Sequence, residues 1–301
     1  MIGAGVLLLL ASAIADAGAP AAAPAYVHEI ESWRRERLQR LTADGGWLTV
    51  AGLFWLKPGA NTFGAGANND IVLPAHAAPA RAGAFVLDAG HVRVEVRSGV
   101  AVDREGKRVT RMDLHSDAGG AAPDVLSLGA LTLQIIERGG RLGVRLKDMK
   151  NPARAAFKGL DYFPIDPRYR VVATFAPHPK PVAIDVPTVL GTVETMSSPG
   201  TASFTLPGAP GGQPLHLDAV LEPGETQLFF ILRDATSGKT SYGGGRFLYA
   251  DPPVNGKVVL DFNRAYSPPC AFTGHATCPL PPANNRLPVA VEAGERFAGA
   301  H

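Results

Sequence analysis

Cys270, His275 and Cys278 stand in the spacing C-x4-H-x2-C inside "AYSPPCAFTGHATCPLPPANNRLP", and they include both cysteines of the chain. Three chemistries suit these residue types. Thiolates and an imidazole bind zinc, although three soft donors without a C-x2-C pair leave a fourth ligand to be found. A cysteine near a histidine becomes a nucleophile once the imidazole takes the thiol proton. Two cysteines in one loop also close a disulfide, worth about 2–3 kcal/mol when unstrained. The disulfide is the favoured reading, and metal and nucleophile stay open beside it.

Polar side chains crowd the same stretch. Arg246, Asp261, Asn263 and Tyr266 come just before the cysteines, and Asn285 and Arg286 just after them. Strand alternation places Asp261 and Asn263 on one face and Phe262 on the other. Arginine, carboxylate, amide and phenol at one end of a β structure suit a pocket for a small polar or anionic ligand. The same set also suits a buried ion pair with a loop brace. A hydrolase is the catalytic alternative, with Asp261 or His275 as base and Cys270, or a Cys/His-bound metal, at the reacting centre. A purely structural envelope-interaction module is the third.

More specific motifs are absent. Gly238-Lys239-Thr240 lacks the glycine a phosphate loop needs at 233, which is Arg233. His28-Glu29 is followed by Ser32 where a zinc-protease helix needs histidine, and there is no Gly-x-Ser-x-Gly elbow. No dinucleotide fingerprint opens a helix, and no cofactor is expected.

The elements that must position these residues are mostly strands. The 301 residues are 46% apolar, with 34 glycines and 26 prolines scattered between short apolar runs. Scattered breakers mean many turns and many short strands. One amphipathic helix is expected in "VHEIESWRRERLQRLTADGG", with Val27, Ile30, Arg34, Leu38 and Leu41 at helical spacing and Gly45 as the stop. Its Trp33 is read as packing and its arginines as a solvated outer face. Val92, Val94 and Val96 then alternate with polar residues, as do Leu131, Leu133 and Ile135, and Leu142, Val144 and Leu146. Gly139-Gly140 between the last two runs predicts a two-residue hairpin turn. Further strands are expected in "RVVATFA", "PVAIDV", "ASFTL", "LHLDAVL", "TQLFFILRD", "GRFLYA" and "GKVVLDF". Strands in series without helices between them argue for antiparallel sandwich or barrel architecture.

With 29 basic and 27 acidic side chains and few aromatics, nucleic acid is not an expected partner. Met1–Ala17 reads as a secretory signal, which predicts a periplasmic or secreted protein without a membrane span in the mature chain. Export would also allow the cysteines to oxidise.

The runs "LRDATSGKTSYGGGRFLYA" and "VVLDFNRAYSPPCAFTGHATCPLPPANNRLPVAVEAGE" resemble the signature of the domain of unknown function 1684 family. "GWLTVAGLFWLKPGANTFG", "NDIVLP" and "GVRLKDMKNPARAAFKGLDYFPIDPRYRV" extend the likeness to roughly residues 30 to 297. The family has no established activity, so the resemblance implies a set of site positions and no reaction. Those positions are Asp234, Tyr242, Arg246, Asp261, Asn263, Tyr266, Cys270, Cys278, Asn285 and Arg286. Ser267 departs from the expected asparagine. "LKPGANTFGAGANNDIVLP" is similar to the start of a forkhead-associated domain, which implies a β-sandwich. Ala65 stands where that family's phosphothreonine-reading arginine follows the glycine, so the likeness implies no phosphopeptide binding.

The expected organisation is all-β. A signal at 1–17 and a leader with helix at 18–46 precede a forkhead-associated-like sandwich at 47–148. An antiparallel barrel or sandwich carrying the signature fills 149–301.

Overall fold

Pro24 sits in the first turn of the N-terminal helix, Pro24–Thr42, where its fixed φ suits the start and its missing amide hydrogen loses no bond. The computed structural model describes residues 22–297, so the expected signal at 1–17 lies outside the described residues. Ile30, Arg37 and Leu41 form the buried stripe of the helix, while Leu38 is exposed. The arginines are therefore not all on a solvated face: Arg37 points inward because Glu295 waits there as its partner. Among the described residues no helix is long and apolar enough to cross a membrane.

Two sheets follow, face to face. One runs in the order Val50–Trp55, Arg141–Asp148, Leu131–Arg138, Val125–Leu128, Asp103–Arg104, Lys107–Arg108. The other has the order Ile71–Val72, Gly59–Gly64, Gly83–Asp88, His91–Val96, Arg111–Leu114. The inward parity of each strand builds one core between them, with Phe63, Phe85, Val94, Leu133, Val144 and Leu146 at its centre. Gly139 and Gly140 take φ +55° and +72°, the left-handed pair that a two-residue hairpin turn requires, and they join Leu131–Arg138 to Arg141–Asp148.

The C-terminal sheet has the order Arg246–Ala250, Leu228–Leu232, Leu215–Leu221, Val193–Phe204, Arg170–Pro187, Lys257–Asp261. Its two edge strands approach each other, so the sheet curls into a half-barrel. The runs "RVVATFA" and "PVAIDV" are one strand, Arg170–Pro187, interrupted by a register shift between Pro177 and Val182 where prolines cannot donate to the ladder.

Leu228–Leu232 is buried along its whole length because both faces of this sheet are covered. Phe230 and Leu232 face a core closed by the C-terminal strap, whose Leu287, Val289, Val291 and Ala293 lie across it. Phe229 and Ile231 face the other way, toward Ala276 and Cys278 of the cysteine loop and toward Trp47. Gly294 lets the strap pass close to the Ala265–Phe262 turn: its φ is +79°, and a Cβ there would lie 2.7 Å from the Phe262 carbonyl oxygen. Among the described residues every named strand pair lies within 50–148 or within 161–296.

Candidate functional site

Val144 and Leu146 point into the sandwich core, so Arg145 between them takes the outer face of the same strand. In an isolated sandwich that face meets water. Here Trp47 and the C-terminal unit cover it, and Arg145 is 5% exposed. Its guanidinium lies over the Trp47 ring, 5.1 Å from the centroid. The Nε and Nη2 atoms of Arg145 are buried and have no hydrogen-bond partner. Burial, reinforced by the charge of Arg138, pushes Arg145 down to about 10, so it is still a cation at neutral pH.

Arg145 lines a cleft of about 1250 Å³ between the sandwich and the half-barrel. The opposite wall is aromatic. Phe229 and Tyr249 stack with centroids 4.7 Å apart, Tyr249 and Tyr266 stack at 6.4 Å, and Phe247 meets Phe229 and Tyr266 edge-on. Burial pushes the Tyr266 phenol up to about 12 and raises Tyr249 as well. Both therefore stay neutral donors. Tyr249 gives its hydroxyl hydrogen to Glu222 at 2.6 Å.

The other charges on the wall already have partners or stand in solvent. Arg37 bonds Glu295 at 2.9 Å and the Ser267 carbonyl at 3.0 Å, with the Tyr266 ring 4.7 Å away. Arg138 places two nitrogens on the Asp117 carboxylate, each at 2.8 Å, and its Nε on Thr277 at 3.2 Å. Arg40 and Glu225 are exposed. Among the described residues lining the cleft, Arg145 is the buried cation with donors to spare.

The residues singled out from the sequence fall into separate places. Tyr266 and Cys278 line the cleft. Arg246 shares parity with Leu248, which points it at the strap and away from the cleft. It is fully buried, 2.7 Å from Asp234 and 2.8 Å from the Val291 carbonyl, and it also bonds the Ala293 carbonyl. The other Asp234 oxygen accepts from Thr236 and from the Val291 amide. This pair is a clasp for the strap.

Asp261 ends its strand and caps a short 3-10 turn, Phe262–Arg264, by accepting from the Asn263 amide at 3.2 Å. The two residues are therefore not alternating strand positions. They meet through the cap, and together they hold the helix: Tyr26 donates to Asp261 at 2.8 Å, and Asn263 donates to Tyr26 at 3.0 Å and to the Asp166 carbonyl at 2.8 Å. Burial raises the Asp261 carboxyl above its usual range. Asn285 is buried against the Asp218 and Ile231 backbone, and Arg286 is exposed. Tyr242 donates to the Cys270 carbonyl at 3.1 Å.

Cys270 and Cys278 are free thiols in the structure. His275 is exposed, and among the described residues no group of three His, Cys, Asp or Glu is placed to hold a metal. Among the described residues Asp261 bonds Tyr26 and Asn263, and the His275 amide bonds Thr273; neither side chain has a hydrogen bond to Cys270. Arg145, Trp47, Phe229 and Glu222 escaped the sequence reading. The available signal was an arginine set in the polar phase of an otherwise apolar strand.

Fold and site together define an antiparallel β protein of two units, with an aromatic and arginine-lined cleft where they meet. The model of the family described as protein of unknown function (DUF1684) matches residues 155–296, and the chain belongs to that family. It is similar to an uncharacterized protein of Haloarcula marismortui solved by solution NMR. The two are 38% identical over 49% of this chain and 81% of that one, with a TM-score of 0.41. The FhaA FHA domain, solved with the intracellular domain of Rv3910, is 15% identical over 32% of this chain and 97% of that one, TM-score 0.23. The FHA-2 domain of the Mycobacterium tuberculosis ABC transporter Rv1747 is 28% identical over 30% of this chain and 77% of that one, TM-score 0.23. Comparison with curated proteins gives no match.

Proposed function

We propose that the cleft binds a small anionic ligand with a flat or apolar body, its carboxylate or phosphate seated on Arg145. The observation that carries this reading is the pair of buried Arg145 nitrogens without partners. A buried donor left unmet costs about 1–3 kcal/mol, and more when charged. An anion supplies the missing acceptors in the planar fork geometry that guanidinium favours. The stacked wall of Phe229, Tyr249 and Tyr266 offers flat surface to the rest of such a molecule. Binding alone accounts for the arrangement, without a reaction.

A thermal-shift comparison of aromatic carboxylates with their uncharged amides tests this. 2-Naphthoate is expected to raise the melting temperature and 2-naphthamide to leave it unchanged; equal shifts would show that the charge is not read. Export remains part of the proposal, supported by the apolar stretch in Met1–Ala17. Fractionation of cells carrying the full chain checks it, with a cytoplasmic mature form as the contrary result.

A further inference from the structure

Thr277 and Cys278 face the sandwich, and Cys270 comes back to the same point from the other arm of the loop. The amide of Cys270 donates to the sulfur of Cys278 at 3.1 Å. Both arms are pinned independently of the sulfurs. On one side Pro269–Ala271 forms a short 3-10 turn, and Tyr242 grips the Cys270 carbonyl at 3.1 Å. On the other, the Val189 amide bonds the Cys278 carbonyl at 3.0 Å and Pro279 bridges to Thr188. The two cysteines are thus preorganised side by side as free thiols. Their surroundings differ. Cys278 is buried on the cleft wall, whereas Cys270 is half-buried.

We propose that Cys270 and Cys278 form an exchangeable dithiol that reacts with small disulfides, Cys270 attacking and Cys278 resolving. The Cys270 thiolate displaces one sulfur of a low-molecular-weight disulfide such as oxidised glutathione, forming a mixed disulfide and releasing one thiolate. Cys278 passes its proton to that thiolate and attacks the Cys270 sulfur, which breaks the mixed bond and releases the second small thiolate to take up the proton that Cys270 lost on ionising. The protein loses two protons and two electrons, and the small disulfide gains them as two thiols.

A hydrogen bond from the Cys278 thiol lowers the Cys270 thiol from its ordinary value, while the same thiol–thiol bond and burial raise Cys278. That asymmetry suits an attacking sulfur paired with a resolving one. The two sulfurs adjoin the Arg145 cleft but do not depend on its occupancy, so this inference stands apart from the ligand reading.

The test equilibrates the full chain in glutathione buffers of stepped reduced-to-oxidised ratio, quenches with acid, alkylates, and weighs the intact protein. The doubly alkylated form is expected in excess reduced glutathione. It should give way to an unalkylated form two hydrogens lighter as the oxidised form rises, with no lasting glutathione adduct. Wild-type protein that stays doubly alkylated at every ratio, or that stops as a stable adduct, would overturn the proposal. Cys278→Ser is expected to accumulate the glutathione adduct at Cys270 at least tenfold faster than Cys270→Ser forms one at Cys278. Equal rates, or the reverse order, would overturn the assignment of the attacking sulfur.

Discussion

Two buried arginines sit on opposite sides of this molecule's interior and teach different lessons. Arg246 is fully buried with a carboxylate and backbone carbonyls around it, on the face of the half-barrel that the strap seals. Arg145 is almost as deeply buried and lines the cleft, yet two of its buried nitrogens have nothing to bond. A buried guanidinium whose terminal nitrogens hold a buried carboxylate and carbonyls is evidence of structure, even though the Nε of Arg246 is unpaired. One that lines an opening with both Nε and Nη2 unmet is evidence of a site, because burial without partners is otherwise selected against. Residue type alone does not separate the two; their partners do.

The largest expected effect breaks the Arg246–Asp234 pair. Arg246→Met leaves Asp234 buried without its counter-charge, and the loss of folding stability should be about 3–5 kcal/mol by urea denaturation. A loss under about 1 kcal/mol would mean that the clasp carries little of the strap's attachment.

Asp261 offers an intermediate case, a partly satisfied buried carboxylate whose Oδ2 has no hydrogen bond. Its carboxyl is raised above 3.8 by burial, so the folded state holds the proton more tightly than the unfolded state does. Stability from this group is therefore full below that value and falls as the pH rises through the folded-state value. The slope is at most about 1.4 kcal/mol per pH unit for one proton. Urea midpoints across an acid pH series should show that slope reduced in Asp261→Asn. Glu295, raised by burial in the same sense, leaves the remainder. An unchanged slope would remove Asp261 from the account.

The smallest stability effect belongs to Arg145→Met. Unmet donors disappear while the stack on Trp47 is lost, and these oppose each other within about 1 kcal/mol. A loss as large as that of Arg246→Met would make Arg145 a structural residue too.

Much of the fold was legible because alternation and turn chemistry are local. Gly139-Gly140 announced its hairpin, and Val144 and Leu146 announced their core face. Arg145 was legible only as the polar phase of that strand. Alternation says which face a residue takes, and whether water or another unit covers that face is decided far away in sequence. Arg246 drew attention as a polar residue in a strong motif. Its parity with Leu248 pointed to the core, but the carbonyls of Val291 and Ala293 that bind it depend on the path of the strap. Asp261 and Asn263 read as strand neighbours because the cap that ends the strand at Asp261 is a side-chain bond, which periodicity does not register.

Calorimetric titration of 2-naphthoate into wild type and Arg145→Met, with the fold of each checked by its thermal melt, tests the central claim most directly. The wild type should bind saturably, and the variant should lose at least tenfold in affinity, or about 1.4 kcal/mol, while melting close to the wild type. Equal affinity in the two folded proteins would contradict the assignment of Arg145 as the anion-binding residue.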